Sequence, residues 1–129
     1  MAVILAVEQD PMIRGARARL LERAGHQVVQ AQTIEGALSR LATQSTDLVL
    51  TSLDEDVARN TGLHLAQELP RGTDRPLILL LIFSEQQKVA DDGKDAGLFD
   101  GWIVRRDVRK TLADKIADML QVSSRAAGT

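Results

Sequence analysis

Five times along this chain a short apolar run gives way to a segment whose apolar residues recur at three- and four-residue spacing. That alternation is the pattern of an α/β protein with a parallel sheet, because a parallel pair needs a crossover and a helix is its usual form. Val3–Val7 is a continuous apolar run suited to a strand covered on both faces. Asp10 offers an N-cap and Pro11 suits the first helical position, and Ile13, Ala16, Leu20 and Ala24 form a helical stripe that ends at Gly25. Residues 27–31 read as a second strand, and Thr33 caps a second helix carrying Ile34, Ala37, Leu38 and Leu41. Residues 48–51 read as a third strand. An acidic stretch without period follows, and Leu63, Leu65, Ala66 and Leu69 then support a short helix stopped at Pro70. Pro76 introduces a fourth strand, and Ser84 with Gln87 has the spacing of a capping box that opens a helix running toward Ala96 and Gly97. Residues 102–104 make a fifth strand, and Asp107 caps a last helix with Val108, Leu112, Ile116, Met119 and Leu120 inward.

Composition narrows the chemistry. A chain of 129 residues with 44% hydrophobic residues buries about two-thirds of its unfolded surface in one core and needs no metal or disulfide to fold. It has no cysteine, which removes disulfides, thiolate nucleophiles and cysteine-ligated metal sites. His26 and His64 do not fall in a metal-ligand spacing. Phe83, Phe99 and Trp102 are the only aromatic residues, too few for a base-stacking platform, and a net charge of -2 gives no electrostatic reason to bind nucleic acid. The longest apolar run, 77–83, is too short to cross a bilayer, and the start lacks the pattern of a signal peptide. The expectation is a cytoplasmic domain over residues 1–122 with a flexible tail at 123–129, without membrane or nucleic-acid partners.

In an open parallel sheet, functional residues gather beyond the carboxyl ends of the strands. Those ends hold Glu8, Gln9 and Asp10, then Ser52 to Asp56, then Ser84, then Arg105 and Arg106. Here the sequence resembles the receiver domains of two-component response regulators, especially those attached to hybrid histidine kinases. Ile4-Leu5-Ala6-Val7-Glu8-Gln9-Asp10-Pro11 is similar to the family's opening strand and acidic pair, Asp47-Leu48-Val49-Leu50-Thr51-Ser52-Leu53 to the run ending in its phosphoacceptor, and Phe99-Asp100-Gly101-Trp102-Ile103-Val104-Arg105-Arg106 to the segment with its Lys-Pro pair. The resemblance covers nearly the whole chain. It implies a flavodoxin-like, doubly wound sheet of five parallel strands in the order 2-1-3-4-5, with helices on both faces.

The departures set the functional expectation. One of the acidic pair is the neutral Gln9, the phosphoacceptor position holds Ser52, the lysine position holds Arg105, and Arg106 stands in place of proline, so the bond before it is expected to be trans. Serine, unlike aspartate, needs a general base to attack a phosphoryl donor. Anchoring on Gly62-Leu63 instead moves the acceptor position to Asp54, but strand register constrains side-chain direction more than a loop does, which favours Ser52. Counting from Pro76 puts the family's switch hydroxyl at Leu81, counting back from Arg105 comes close to Ser84, and Trp102 aligns with the family's aromatic switch position. Two further expectations are an ion pair between Glu8 and Arg105 and a basic cluster of Arg105, Arg106, Arg109 and Lys110.

The resulting expectation is a pseudo-receiver without catalytic residues or cofactor. It signals by contact with a histidine kinase or a signalling output protein, with a homodimer through the fifth strand and helices four and five, around Trp102, Arg105, Arg106 and Arg109, as a further form of contact. Two alternatives stay open. One is a working receiver phosphorylated on Asp54 with Mg²⁺ on Glu8, Asp10 and Asp54, and the other is a module that binds a cyclic dinucleotide through the arginine cluster.

Overall fold

The computed structural model describes residues 2–53, 61–69 and 75–127. Five strands form one parallel sheet: β1 (Val3–Val7), β2 (Gln27–Ala31), β3 (Leu48–Ser52), β4 (Leu77–Ile82) and β5 (Gly101–Val104), in the order β2-β1-β3-β4-β5. The helices are α1 (Pro11–Arg23), α2 (Ile34–Thr43), α3 (Thr61–Glu68), α4 (Gln87–Asp95) and α5 (Val108–Ala127). This is the flavodoxin-like architecture and strand order expected from the resemblance.

The central strands are apolar because they are covered twice. All residues of β3 are buried, and in β4 only Leu77 keeps partial exposure. Alternation along β3 and β4 sends Leu48, Leu50, Leu79 and Leu81 to one face, where they meet Leu21 of α1 and Leu112 and Ile116 of α5. Val49, Ile78, Leu80 and Ile82 go to the other, against Ala37 of α2, Leu65 and Ala66 of α3 and Ala90 of α4. Each such fully buried aliphatic side chain contributes about 1.5–3 kcal/mol. Gly25 and Gly97, with φ of 94° and 78°, end α1 and α4 in a conformation that glycine adopts without strain.

Four local expectations change. The inward residues of α1 are Arg17, Ala18 and Leu21, while Ile13, Ala16 and Ala24 are exposed. The stripe is thus displaced by one position, because the helix turns an arginine toward the sheet. The capping interaction before α4 also lies one residue earlier: Ser84 to Gln86 form a 3₁₀ turn, and the Phe83 N–H donates to Gln86 Oε1 at 2.8 Å. A similar turn, Arg105 to Asp107, precedes α5, so Asp107 ends that turn instead of capping a helix directly. Finally, the segment expected as a tail is helical as far as Ala127. Ser123, Ser124, Arg125, Ala126 and Ala127 include no glycine or proline to stop the helix.

Candidate functional site

β1 and β3 are neighbours, so parallel pairing brings Glu8 and Ser52 to the same carboxyl edge of the sheet. Ser52 is the last residue of β3, 3% exposed, and shares the parity of Leu48 and Leu50, so its side chain faces the α1 and α5 layer. α1 begins there because Asp10 Oδ1 accepts the N–H groups of Met12 at 2.8 Å and Ile13 at 3.2 Å, with Pro11 behind it. From that start the helix carries Arg17 over the gap between the two strand ends.

Arg17 is 7% exposed. Its Nη1 donates to Ser52 Oγ at 3.3 Å and lies 3.6 Å from Glu8 Oε2. Burial holds its guanidinium below the ordinary value, Glu8 works in the opposite direction, and nearby Arg105 adds to the lowering. Arg14, one turn earlier, donates to the Glu8 carbonyl at 2.8 Å and to Gln30 Oε1 at 3.1 Å, which fixes the backbone at the end of β1.

Glu8 therefore pairs with Arg17, and the expected pair with Arg105 does not form. Arg105 instead donates from Nη2 to the Leu53 carbonyl at 3.3 Å and lies over the Phe83 ring, 4.2 Å from its centroid. This turns its charge inward and breaks up the expected basic cluster. Arg106, Arg109 and Lys110 remain exposed on the turn and first part of α5, and the peptide bond before Arg106 is trans. Leu81 lies fully buried in the α1 and α5 layer, and Ser84 is exposed with its hydroxyl 3.4 Å from Glu85 Oε2. Phe83, between them, is the residue that meets Arg105. Trp102 is half-buried and its indole N–H donates to Asp91 Oδ1 at 3.0 Å, which ties β5 to α4.

Arg17 and Phe83 were missed by sequence reasoning. For Arg17 a signal existed: with Ala18 and Leu21 it shares a helical face, so the correct phase of α1 places it inward.

Asp54, Glu55 and Asp56 lie outside the described residues. Among the described ones, the oxygen donors at this edge do not fit a Mg²⁺ ion, which asks for several anionic or water oxygens in near-octahedral array. The Glu8 carboxylate faces a guanidinium, Gln9 is neutral and exposed, Asp10 is occupied by the first turn of α1, and the Ser52 hydroxyl receives a bond from Arg17. No group of three acidic, histidine or cysteine side chains is placed to hold a metal among the described residues. Both histidines lie elsewhere: Ala2 donates its N–H to His26 Nδ1 at 3.2 Å, and exposed His64 faces Glu68 on α3.

Comparison with known proteins adds an independent line. The family model of the response regulator receiver domain matches residues 4–117. A gliding motility regulatory protein of Myxococcus xanthus is 30% identical in an alignment of 104 residues that covers 76% of this chain and 13% of that protein's length. Among solved structures, the chemotaxis response regulator CheY4 of Vibrio cholerae superposes with a TM-score of 0.77 at 24% identity, over 92% of this chain and 98% of that one. A response regulator receiver domain protein of Clostridium thermocellum gives 0.83 at 18% identity, over 98% and 99%. No helix among the described residues is long and apolar enough to cross a membrane.

Proposed function

The chain belongs to the response regulator receiver domain family, and from that premise we propose that it is a pseudo-receiver, a two-component signalling module that acts by protein–protein contact without being phosphorylated. The observation that supports this reading is the bond from Arg17 to the Ser52 hydroxyl beside Glu8. A serine nucleophile needs a base to take its proton as it attacks. Among the described residues the charged group bonded to Ser52 is a guanidinium, which only donates hydrogen bonds and cannot accept that proton. Glu8, the one carboxylate near it among the described residues, is held by the same guanidinium.

The partner in this reading is a histidine kinase or a signalling output protein, and the domain itself is not an enzyme. Its contact face is β5 with α4 and α5. Half-buried Trp102 and exposed Arg106 and Arg109 offer that face an amphipathic, basic surface, whereas Arg105 is directed inward.

Incubating the protein with acetyl phosphate and Mg²⁺ and measuring its intact mass tests the reading. No phosphoryl adduct is expected. Stoichiometric phosphate mapped by peptide sequencing to Asp54 overturns it in favour of a working receiver.

A further inference from the structure

We propose that Arg17 is a resident cation, tethered by its own helix, that takes the place a divalent cation would otherwise need at the carboxyl edge of this sheet. The inference rests on the reading above and names the device that makes the site independent of metal.

Three observations carry it. The first is the position of the charge. Arg17 shares the inward face of α1 with Ala18 and Leu21, and at such a position an apolar residue avoids the desolvation that a guanidinium suffers. An arginine there is costly unless its charge is used. The second is what the charge meets. One nitrogen, Nη1, approaches oxygen atoms from two different strands, Ser52 Oγ at 3.3 Å and Glu8 Oε2 at 3.6 Å. It thereby joins the ends of β1 and β3, which a bound cation does when it draws oxygen ligands together. The third is the balance of charge. Among the described residues Glu8 is the only carboxylate that Arg17 meets, and the neighbouring cation, Arg105, reaches a carbonyl and an aromatic ring but no carboxylate, with its buried Nε left without a hydrogen-bond partner there. Glu8 and Arg17 neutralise one another, so an added divalent ion finds no uncompensated negative charge among these groups. Neutral Ser52 belongs to the same arrangement, because a hydroxyl accepts from the guanidinium without demanding a second cation.

The test restores the acid and then removes the tethered charge. Ser52→Asp, Ser52→Asp with Arg17→Met, and Ser52→Asp with Arg17→Lys are titrated with Mn²⁺, followed by electron paramagnetic resonance, and with Mg²⁺, followed by thermal unfolding. Methionine keeps much of the length of arginine without its charge, and lysine keeps the charge. The methionine double variant is expected to bind Mn²⁺ about 10- to 100-fold more tightly than Ser52→Asp alone, the scale on which neighbouring side chains tune a metal site. The lysine double variant is expected to behave like the single variant. Equal affinity in the methionine double variant and Ser52→Asp, whether both bind or neither does, overturns the proposal.

A second measurement does not depend on the folding of the Arg17 variants. Ser52→Asp alone is expected to raise the melting temperature in the absence of metal, since Arg17 gains a second carboxylate, and Mg²⁺ is expected to leave that temperature unchanged. A melting temperature that falls on substitution and recovers with Mg²⁺ overturns the proposal. All of these readings are taken in the Ser52→Asp background, so their failure leaves the wild-type phosphorylation result standing, and the reverse also holds.

Discussion

The two edges of the sheet are finished with opposite chemistry. Where strands begin, acceptors receive backbone N–H groups: Asp47 Oδ2 from Val3 at 2.8 Å, Asp100 Oδ2 from Ile78 at 2.9 Å, and His26 Nδ1 from Ala2 at 3.2 Å. Where strands end, arginines donate: Arg14 to the Glu8 carbonyl, Arg105 to the Leu53 carbonyl and Arg17 to the Ser52 hydroxyl. Parallel strands all point one way, so one edge is left with spare N–H groups and the other with spare carbonyls, and each is completed by its complement. The edges differ in their access to water. Asp47 is exposed and Asp100 and His26 are partly so, whereas Arg17 is buried with Glu8 as its counterion. Water can stand in for a lost acceptor at the first edge. At the second, a lost partner leaves a charge out of water.

Removing one member of the buried pair is therefore expected to have the largest effect. Glu8→Gln preserves shape and leaves Arg17 without a counterion, which is expected to cost about 2–4 kcal/mol in urea unfolding. The informative variant is the double one, Glu8→Gln with Arg17→Met, which removes both charges and is expected to be more stable than Glu8→Gln alone. A double variant that loses the sum of the two single losses means the charges are not coupled. At the opposite edge Asp100→Ala removes the acceptor for Ile78 and a partner of Arg75, 3.5 Å away. The expected cost is about 1–2 kcal/mol, since solvent reaches the freed N–H. If Asp100→Ala proves more damaging than Glu8→Gln, the contrast in solvent access between the edges is wrong.

The fold was legible because the strands of this sheet are covered on both faces and leave continuous apolar runs. Leu77 to Ile82 admits no other reading once Pro76 precedes it. The strand ends were legible for the same reason, since Glu8, Ser52 and Arg105 each stand at the end of such a run. What they bond to was not. α1 was read from Ile13, Ala16, Leu20 and Ala24, and a pattern search that prefers apolar residues cannot choose a phase that buries arginine. Arg17 lies outside that stripe, so the expected partner of Glu8 is Arg105 across the same edge. The capping residue before α4 slipped for a more local reason: Phe83 contributes through its backbone N–H to Gln86, a role any residue can fill and no side chain announces.

The smallest expected effect isolates the amino edge by acidity. His26 accepts the Ala2 N–H through Nδ1, and burial holds its pKa below the ordinary 6.5. The native state therefore prefers neutral imidazole, while the unfolded chain protonates near the ordinary value. Above pH 6.5 both states are neutral and the contribution to stability is complete. As the pH falls, the unfolded state takes up the proton first and stability declines, until the folded imidazole also protonates and surrenders its acceptor. Arg17, at the carboxyl edge, remains a guanidinium cation throughout this range. Unfolding measured from pH 8 down to pH 5 is expected to show a shallow decrease that His26→Gln, whose amide oxygen accepts without titrating, reduces. The same slope in both proteins means that His26 does not set the acid sensitivity of this edge, and the comparison then rests on Asp47 and Asp100 alone.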